Sequence, residues 1–600
     1  MVTAGRSPQR LADVVVTTEL VGRDRIEATG ATNVAEVLSE QTGIHLDGGH
    51  PTGAGVMLQG LDAERVLVLL DGQPLGGRIS GNLDLSRIPT GIVERIEVVK
   101  GPQATLYGSE AMGGVVNLVT ATPDSAAWAG TATLTAGTRG RREAHGTLRG
   151  GSGPVSFAAD VGRRQLDLTP GLESASGTGT DRWDGHFRGR WIADSTVSLE
   201  TSFFLVDEAQ RWRSGQLHHF ADNLQWTGRI NGRWTSDSGI HRFEPTLYTS
   251  SFDHLSRRSS STSPPAPETG SRQMQQLWEA EALYGWDGEG VRVETGIEAQ
   301  REAIEAATIR GKERVLTSIE PFVQLPLRRG AVTLVPGVRA SWNSEWGTHW
   351  TPRLSALVRP AASVALRASV ARGYRAPGFK ELYMQFLNVG PGFGYVVRGN
   401  PALSPETSTA VNGGVEWNGT RAYGRLQLFH NRFRDFIETR AVGDSSGVTV
   451  YTYGNVDDGT TAGVEAELGY LLKALRAEAG YSLLETENEV TGQELLGRPR
   501  HSGRFSLRHA AEFGLRSTVT GVFTGAATVS LDGDSARVRP GFLRVDFRLS
   551  QAVRRGLRAS VGVENVFDET VDGWPGFTGR TLYLTLSAEA PELFPGGSPR

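Results

Sequence analysis

Two patterns of apolar and polar residues divide the chain near residue 122. Beyond about Trp128, apolar residues alternate with polar ones in short segments that glycine-rich turns separate. One segment has apolar residues on one face and polar residues on the other: Val364, Leu366, Ala368 and Val370 against Ser363, Arg367 and Ser369. A period of two residues predicts β-strands, because successive side chains of a strand point to opposite faces.

The first region predicts a small α/β unit. Asn33 is placed to cap a short helix that carries apolar residues at 34, 37 and 38 and stops at Gly43. The runs 65–70 and 94–100 predict two strands, each ended by a turn that contains glycine.

The second region predicts a membrane barrel. Strands with one apolar face and one charged face suit a barrel whose outer surface meets lipid and whose lumen is wet. A soluble β-sandwich would alternate too, but about 460 residues without a linker-like break leave no means of hiding so much apolar surface. At roughly 21 residues per strand and connection, residues 126–588 give about 22 strands, the size of a barrel with a plugged lumen. The expected fold is an all-β transmembrane barrel of about 22 antiparallel strands, with the small α/β N-terminal domain inside its lumen.

Composition and charge exclude several classes of protein. The longest apolar run, residues 66–70, is far shorter than the roughly 20 residues of a membrane-spanning helix. The 62 basic and 66 acidic residues leave a formal net charge of −4, which gives no electrostatic reason to expect nucleic-acid binding. Cysteine is absent, so disulfides and thiolate metal sites are excluded. Residues 1–6 lack the regions of a signal peptide, and we expect the natural start to lie upstream.

These residues resemble the TonB-dependent receptors of the bacterial outer membrane. In the first region the resemblance rests on elements in a fixed order: Asp71-Gly72, Ile88-Pro89, Val93-Glu94-Arg95-Ile96-Glu97-Val98-Val99-Lys100-Gly101-Pro102, Tyr107-Gly108-Ser109 and Gly113-Gly114-Val115-Val116-Asn117. In the second region it rests on Gly373-Tyr374-Arg375-Ala376-Pro377, Glu381-Leu382-Tyr383, Gly399-Asn400-Pro401-Ala402-Leu403-Ser404-Pro405-Glu406-Thr407 and Glu564-Asn565-Val566-Phe567-Asp568.

The resemblance implies a domain order and a set of partners. Residues 1–10 would be the remnant of a TonB box and a linker, 11–122 the plug, 126–588 the barrel and 589–600 a C-terminal tail. TonB, working with ExbB and ExbD, would pair with the tail of the box at Val2, Thr3 and Ala4 by β-strand addition. The protein would be a monomer in outer-membrane lipid that actively transports cobalamin or a ferric siderophore, and it would not be an enzyme.

The resemblance also implies contacts that hold the plug inside the barrel. Arg95 and Glu97 would present charge to the lumen wall. Their expected partners are barrel carboxylates: Glu381, Glu406 or Glu416. The family usually has an arginine before the glycine at Gly60, whereas this chain has Gln59, which weakens part of that latch.

Substrate would be held by the plug apices together with the barrel loops. The candidate residues lie in two small, polar loops: His50, Thr52, Arg78, Ser80 and Asn82. The spacing of these loops is most similar to that of cobalamin receptors. No cofactor is required, although some of those receptors bind calcium, and Asp181 and Asp184 are the candidate ligands here.

Four alternatives remain. A haem receptor is disfavoured because no histidine lies between residues 378 and 399, although His50 keeps the possibility open. A passive porin is disfavoured because the N-terminal domain would fill the lumen. A surface adhesin that has lost transport is suggested by the tail from Pro591 to Arg600, since barrels of this family commonly end in an aromatic residue. An enzyme is disfavoured by the absence of a spaced catalytic triad or P-loop.

Overall fold

The computed structural model describes most of the chain. The described residues are 9–50, 53–79, 81–123, 128–168, 178–390, 393–445, 448–532, 535–571 and 579–594. They form an N-terminal domain, called the plug below, and a closed β-barrel that surrounds it. Among these residues, no helix combines the length and the apolar character needed to cross a membrane.

The plug is built from nine short strands and three short helices. The strands are β1 (Thr18–Gly22), β2 (Ile44–His50), β3 (Gly53–Leu58), β4 (Val66–Leu70), β5 (Gln73–Pro74), β6 (Arg78–Ile79), β7 (Asn82–Leu83), β8 (Val93–Lys100) and β9 (Gly114–Thr120). The helices are α1 (Arg23–Thr29), α2 (Val34–Ser39) and α3 (Ala104–Tyr107). Single 3-10 turns join them at Leu11–Asp13, Ala63–Arg65, Leu85–Arg87 and Thr90–Ile92.

The plug core follows the apolar pattern of the sequence. Five strands form a sheet in the order β1-β8-β9-β4-β5, with β4 parallel to β9. Every residue of β4 and β9 is buried, as continuous apolar runs require. The predicted cap is confirmed, because the Asn33 side chain accepts a hydrogen bond from the Glu36 backbone N–H at 3.1 Å. The helix ends at Ser39, earlier than the expected stop at Gly43.

The barrel strands that precede the longest connection are β10 (Trp128–Gly137), β11 (Arg142–Ser152), β12 (Val155–Leu166), β13 (Gly179–Ile192), β14 (Val197–Ser214), β15 (Leu217–Thr235), β16 (His241–Ser259), β17 (Ser271–Asp287), β18 (Arg292–Ala306), β19 (Glu313–Gln324), β20 (Leu327–Arg329), β21 (Val332–Asn343), β22 (Gly347–Ala361) and β23 (Val364–Arg375). A 3-10 turn, Pro267–Thr269, lies between β16 and β17.

The longest connection follows β23 and holds the helix α4 (Phe379–Tyr383) and a hairpin of β24 (Gln385–Gly390) and β25 (Phe393–Arg398). The remaining strands are β26 (Glu406–Asn418), β27 (Ala422–Ser445), β28 (Val448–Leu472), β29 (Leu475–Asn488), β30 (His501–Ala510), β31 (Leu515–Thr524), β32 (Ala527–Asp532), β33 (Ser535–Arg539), β34 (Phe542–Arg554), β35 (Leu557–Glu564) and β36 (Thr581–Phe594).

The barrel closes where β36 pairs with β10. Strand β20 is a short extra segment, because β19 pairs directly with β21. The hairpins β24–β25 and β32–β33 are insertions, because β23 pairs directly with β26 and β31 pairs directly with β34. The remaining strands form a closed antiparallel barrel of 22 strands, which confirms the expected fold.

The two faces of the strands follow the alternation in the sequence. Leu366 and Val370 point outward and are exposed, whereas Arg367 between them faces the lumen and is buried. The last strand differs from the expectation, because β36 continues through Phe594 instead of ending at residue 588. The backbone of Phe594 pairs with that of Trp128, so the segment expected to be a free tail begins within the closing strand.

The connections at the two ends of the barrel differ in length. At one end they are short, as at residues 362–363, 473–474 and 555–556. At the other end they include residues 376–405, which carry α4 and the hairpin β24–β25, and residues 525–541, which carry the hairpin β32–β33. Outer-membrane barrels place short turns in the periplasm and long loops outside the cell.

Candidate functional site

A buried ionic network joins the plug to the barrel below the long connections. Arg65, which precedes β4 in the plug, donates to both carboxylate oxygens of Glu406 in β26, at 2.5 and 2.8 Å. Arg375, at the end of β23, donates to the same carboxylate at 2.8 and 3.0 Å and to Glu381 in α4 at 2.7 and 3.0 Å. Glu406 is completely buried, so its carboxylate pairs with both guanidinium groups out of contact with water.

A second plug carboxylate extends this network. Asp62 lies 2.5 Å from Arg65 Nη1 and 3.4 Å from Arg498 Nη2. Burial alone would raise the pKa of Asp62, but the charges of Arg65 and Arg498 outweigh it and hold that pKa below its ordinary value. Asp62 is therefore ionised at neutral pH and draws the loop that carries Arg498 onto the plug.

Two further tethers fix other parts of the plug. Lys100, at the end of β8, donates to Glu465 of β28 at 2.6 Å and to the Thr42 carbonyl at 2.7 Å. Gln59 donates to Asn412 Oδ1 at 3.1 Å, and Asn431 donates to Gln59 Oε1 at 3.3 Å. The residue that replaces the family's arginine thus binds the barrel through neutral hydrogen bonds.

The structure differs from the expectation mainly on the plug side of the latch, where Arg65 and Lys100 pair with the barrel carboxylates Glu406 and Glu465. Arg95 donates to Glu97 within the plug at 2.8 Å, and among the described residues it forms no ion pair with Glu381 or Glu416. Glu416 is paired with two barrel arginines: Arg367 at 2.5 Å and Arg425 at 3.4 Å.

Sequence reasoning missed the plug half of the latch. Two residues of these ionic contacts could have been suspected from the sequence, because Lys100 and Arg375 both lie in the motifs that carry the family resemblance. Arg65 gave no such signal, because it flanks an apolar run as many surface residues do. Its partner Glu406 lies 341 positions further along the chain.

The predicted substrate-binding residues fall partly outside the described residues. Thr52, Ser80 and the coupling residues Val2, Thr3 and Ala4 lie outside them. The backbone of His50 pairs with Gly53 in the hairpin β2–β3, but the position of its side chain is not described.

Two of the predicted apex residues are described. Arg78 is turned into the plug, where it donates to the carbonyls of Ala63 and Val66 and to Glu110 at 2.9 Å. Asn82 lies in β7 beside Gly55, where a Cβ would come 3.1 Å from its Oδ1. Arg78 therefore stabilises the plug apex, and its guanidinium already donates hydrogen bonds to acceptors within the plug.

The calcium candidates lie on a strand instead of the expected loop. Asp181 and Asp184 belong to β13, where Asp181 is exposed on the outer face and Asp184 is buried in the lumen beside Arg182. Side chains on opposite faces of a strand cannot hold one ion. Among the described residues there is no group of three or more histidine or acidic side chains placed to bind a metal.

A cavity of about 390 Å³ lies between the plug and the barrel wall, towards the long connections. Its plug side is formed by α2 and β2, and its barrel side includes Arg141, Arg504 and Arg544. Two plug residues near it have displaced pKa values. Burial, reinforced by Asp546, raises the pKa of Glu40 to about 8 although Arg544, Arg25 and Arg504 oppose the shift. Burial, reinforced by Lys100 and Arg539, lowers the pKa of His45 to about 4.

These shifts predict that the plug becomes less stable between pH 6.5 and 8. Glu40 keeps its proton in the folded plug but loses it near pH 4.5 when unfolded, so its contribution declines as pH rises towards 8. His45 acts in the opposite sense, and its contribution is complete above pH 6.5. We expect the free energy of plug unfolding in urea to fall by up to about 1.4 kcal/mol per pH unit in this window.

Two variants test the assignment of this pH dependence. Glu40→Gln should remove the slope between pH 6.5 and 8, and His45→Gln should leave it in place. An unchanged slope in Glu40→Gln would show that another group titrates.

A globular plug fastened by buried ionic contacts inside a closed 22-stranded barrel defines the class of plugged outer-membrane transporters. Two family descriptions match the sequence: "TonB-dependent Receptor Plug Domain" over residues 10–115, and "TonB dependent receptor-like, beta-barrel" over residues 150–566. The chain belongs to the TonB-dependent receptor family, and its place is the bacterial outer membrane. The family consists of transporters and receptors.

Individual relatives share the whole architecture. The vitamin B12 transporter BtuB of Photobacterium profundum is 23% identical over 584 residues, which cover 95% of this chain and 91% of that protein. A variant of the ferric enterobactin receptor PfeA of Pseudomonas aeruginosa, in complex with enterobactin, matches with a TM-score of 0.83 and 18% identity over 96% of this chain and 99% of that one. The copper transporter OprC matches with a TM-score of 0.80 and 17% identity over 97% of this chain and 100% of that one. The two structural matches show a shared fold.

Proposed function

We propose that this receptor imports cobalamin or a ferric siderophore, driven by TonB together with ExbB and ExbD. The observation that carries the proposal is the plug in the lumen, which the ionic network of Arg65, Glu406 and Arg375 fastens to the barrel. A plug fastened in this way has to be rearranged before a bulky solute can pass, and that rearrangement requires work. Cobalamin is the first candidate because the relative named as a vitamin B12 transporter matches 95% of this chain.

Energy coupling would act through the N-terminal segment. A strand formed by Val2, Thr3 and Ala4 would pair with TonB by backbone hydrogen bonds, which transmit a pull along the chain. The segment continues into the turn Leu11–Asp13, where Arg359 donates to Asp13 at 3.0 Å. Force applied there would reach β1 and then β8, the strand that ends in the Lys100 tether.

The long connection between β23 and β26 favours a ligand with flat rings as the second candidate class. Phe386 and Tyr395 of its hairpin lie 6.1 Å apart, and Tyr395 lies 6.2 Å from Tyr451 of β28. All three rings are partly exposed. Partly exposed aromatic side chains bind planar ligands through stacking, which suits the aromatic rings of a siderophore.

The remaining features of the proposal follow from the same architecture. The receptor would be a monomer in outer-membrane lipid, act without catalysis and require no cofactor. Calcium stays a minor proposal, because Asp181 and Asp184 are held apart on β13. A passive porin disagrees with a lumen that the plug occupies.

Uptake in intact cells tests the proposal. Cells that lack their own cobalamin and siderophore receptors would express this chain with a signal peptide and a complete TonB box. We expect labelled cobalamin or labelled ferric enterobactin to accumulate, and we expect a protonophore to abolish the accumulation. Thr3→Pro should abolish it as well, because proline removes a backbone donor that strand addition needs.

The other outcomes separate the alternatives. Surface binding without energised uptake would indicate a receptor or adhesin that has lost transport. Accumulation that continues in the presence of the protonophore would indicate a passive channel. Failure of both solutes, with the protein present in the outer membrane, would contradict the proposed substrates.

A further inference from the structure

Three adjacent cavities follow one side of the plug. They lie between the segment α1–α2 and the barrel wall formed by β10–β13 and β29–β36, and we call this space the α1–α2 seam. Their volumes are about 730, 90 and 390 Å³. Arg548 lines both the first and the second cavity, and Arg544 lines both the second and the third. The first reaches the short turn at Lys473, so the seam runs from the short-turn end towards the long connections.

Part of the barrel wall of the seam consists of short hydroxyl side chains that bind one another. Thr133 lies 3.2 Å from Ser587, and Thr135 lies 2.9 Å from Thr585. Ser560 donates to Ser550 at 2.9 Å. Because these bonds join neighbouring strands of the wall, the hydroxyl groups stabilise the barrel and leave a smooth polar surface towards the plug.

The opposite side of the plug is fastened closely to the barrel. Thr105 donates to the Thr351 carbonyl at 2.8 Å, and Arg339 donates to the Leu106 carbonyl at 3.2 Å. Arg353 donates to Gln103 at 2.8 Å. These contacts fix α3 and the loops beside it against β21 and β22.

Contacts across the α1–α2 seam vary in length: Arg548 donates to the Glu27 carbonyl at 2.5 Å and Arg504 donates to the Thr42 hydroxyl at 2.8 Å, whereas two others are longer. Arg164 lies 3.5 Å from Glu36, and Arg544 lies 3.4 Å from the Ser39 hydroxyl. A contact at 3.5 Å is weak by the ordinary geometry of hydrogen bonds. The segment α1–α2 is therefore held to the wall by both short and weak contacts, with the cavities between them.

Basic side chains outnumber acidic ones in the lining of the largest of these three cavities. Ten arginine or lysine side chains line it, against five aspartate or glutamate side chains. Arg548 donates to the Glu27 carbonyl at 2.5 Å, and Arg558 donates to the Gly514 carbonyl at 3.5 Å and to Ser550 at 3.4 Å. These acceptors are neutral and leave the guanidinium charges in place. Clefts lined by one sign of charge concentrate ions of the other sign.

We propose that solute crosses the lumen along the α1–α2 seam, and that the arginines of the seam attract the anionic groups of solutes that also form hydrogen bonds. The inference rests on the proposed transport function. It places the path beside β10, β31, β34 and β36, and it gives Arg516, Arg548 and Arg558 the role of positioning residues that attract the solute. The wall hydroxyls offer hydrogen bonds without a charge that would retain it.

The natural absence of cysteine allows a clean test with single cysteines. Thr518→Cys places a thiol in the seam, at a position that lines both the first and the second cavity. Ser355→Cys places a matched thiol on the fastened wall, where Ser355 is almost fully buried. The probes are a negatively and a positively charged methanethiosulfonate of similar size, applied to the purified full chain.

We expect the negative reagent to label Thr518→Cys about tenfold faster than the positive one, in low salt. Adding Arg516→Gln and Arg558→Gln should reduce this ratio below about threefold, whereas the exposed turn variant Arg329→Gln should leave it unchanged. Equal rates for the two reagents, or faster labelling by the positive one, would overturn the charge selectivity.

Labelling in energised cells tests the location of the path. We expect the rate at Thr518→Cys to rise several-fold when TonB is active and to fall with a protonophore, while Ser355→Cys stays unlabelled. Labelling that rises at Ser355→Cys and not at Thr518→Cys would overturn the location. Both measurements are made without substrate, so a failure of cobalamin or siderophore uptake would count against the proposed function and leave the seam to be judged by the labelling.

Discussion

Glu406→Gln should lower the free energy of plug unfolding by about 3–5 kcal/mol. Glu406 is completely buried and balances the charges of Arg65 and Arg375. A neutral amide of the same size leaves two guanidinium groups in the lumen with less compensation, and breaking a buried ion pair on one side is costly in this way. The effect should be concentrated in the plug, because the barrel strands remain paired through their backbones.

Hydrogen exchange in a urea series, with the protein in lipid vesicles, would measure this effect at β4 and β9. Glu244→Gln is the matched control, since Glu244 is also buried but pairs with the barrel residues Arg233 and Arg242 at 3.0 and 3.1 Å. It should leave plug exchange unchanged. If Glu406→Gln unfolds at the same urea concentration as the native chain, the network does not hold the plug.

Gly114→Ala should destabilise the plug by about 3 kcal/mol or more. Gly114 opens β9 with a φ of +145°, and a Cβ there would lie 2.4 Å from the Val99 carbonyl oxygen and 3.0 Å from Leu58 Cδ1. The left-handed backbone costs about 1–3 kcal/mol for a residue with a side chain, and forcing atoms into a packed core adds about 1–3 kcal/mol. The Val99 carbonyl belongs to the neighbouring strand and cannot move without breaking the sheet.

Gly72→Ala provides the comparison for this variant. Gly72 has a φ of +85°, but a Cβ at that position would meet no atom within 4 Å. It should cost about 1–2 kcal/mol, the backbone contribution alone. Equal losses for the two variants in the same urea series would show that the clash with Val99 is relieved, and that only the backbone conformation matters.

The strands could be predicted from the sequence because each carries its own signal. Leu582, Leu584 and Leu586 alternate with polar residues and are all exposed on the outer face of β36. The same pattern at β28 places Glu465 and Glu467 in the lumen. The end of β36 could not be predicted, because residues 589–594 join the sheet through backbone pairing with β10, which requires no particular side chain.

The candidate site was predicted only in part. Glu381 and Glu406 were expected to face the plug, and both lie in the network with Arg375. Their expected partner Arg95 is paired with Glu97 on its own strand instead. Arg95 and Glu97 are two residues apart on one strand, so their side chains lie on the same face and can pair without any contribution from the barrel. A sequence pattern does not show whether a charged side chain pairs with a neighbour on its own strand or with a residue far away along the chain.

The sequence by itself determined the fold class, the strand faces and the family. These depend on period-two alternation and on motifs a few residues long, both of which are local. Only the tertiary structure decided that a row of cavities follows the α1–α2 seam, and that Arg65 and Lys100 fasten the plug. Their partners lie 341 and 365 positions away, and closure of the barrel brings them together in a buried space where opposite charges attract strongly.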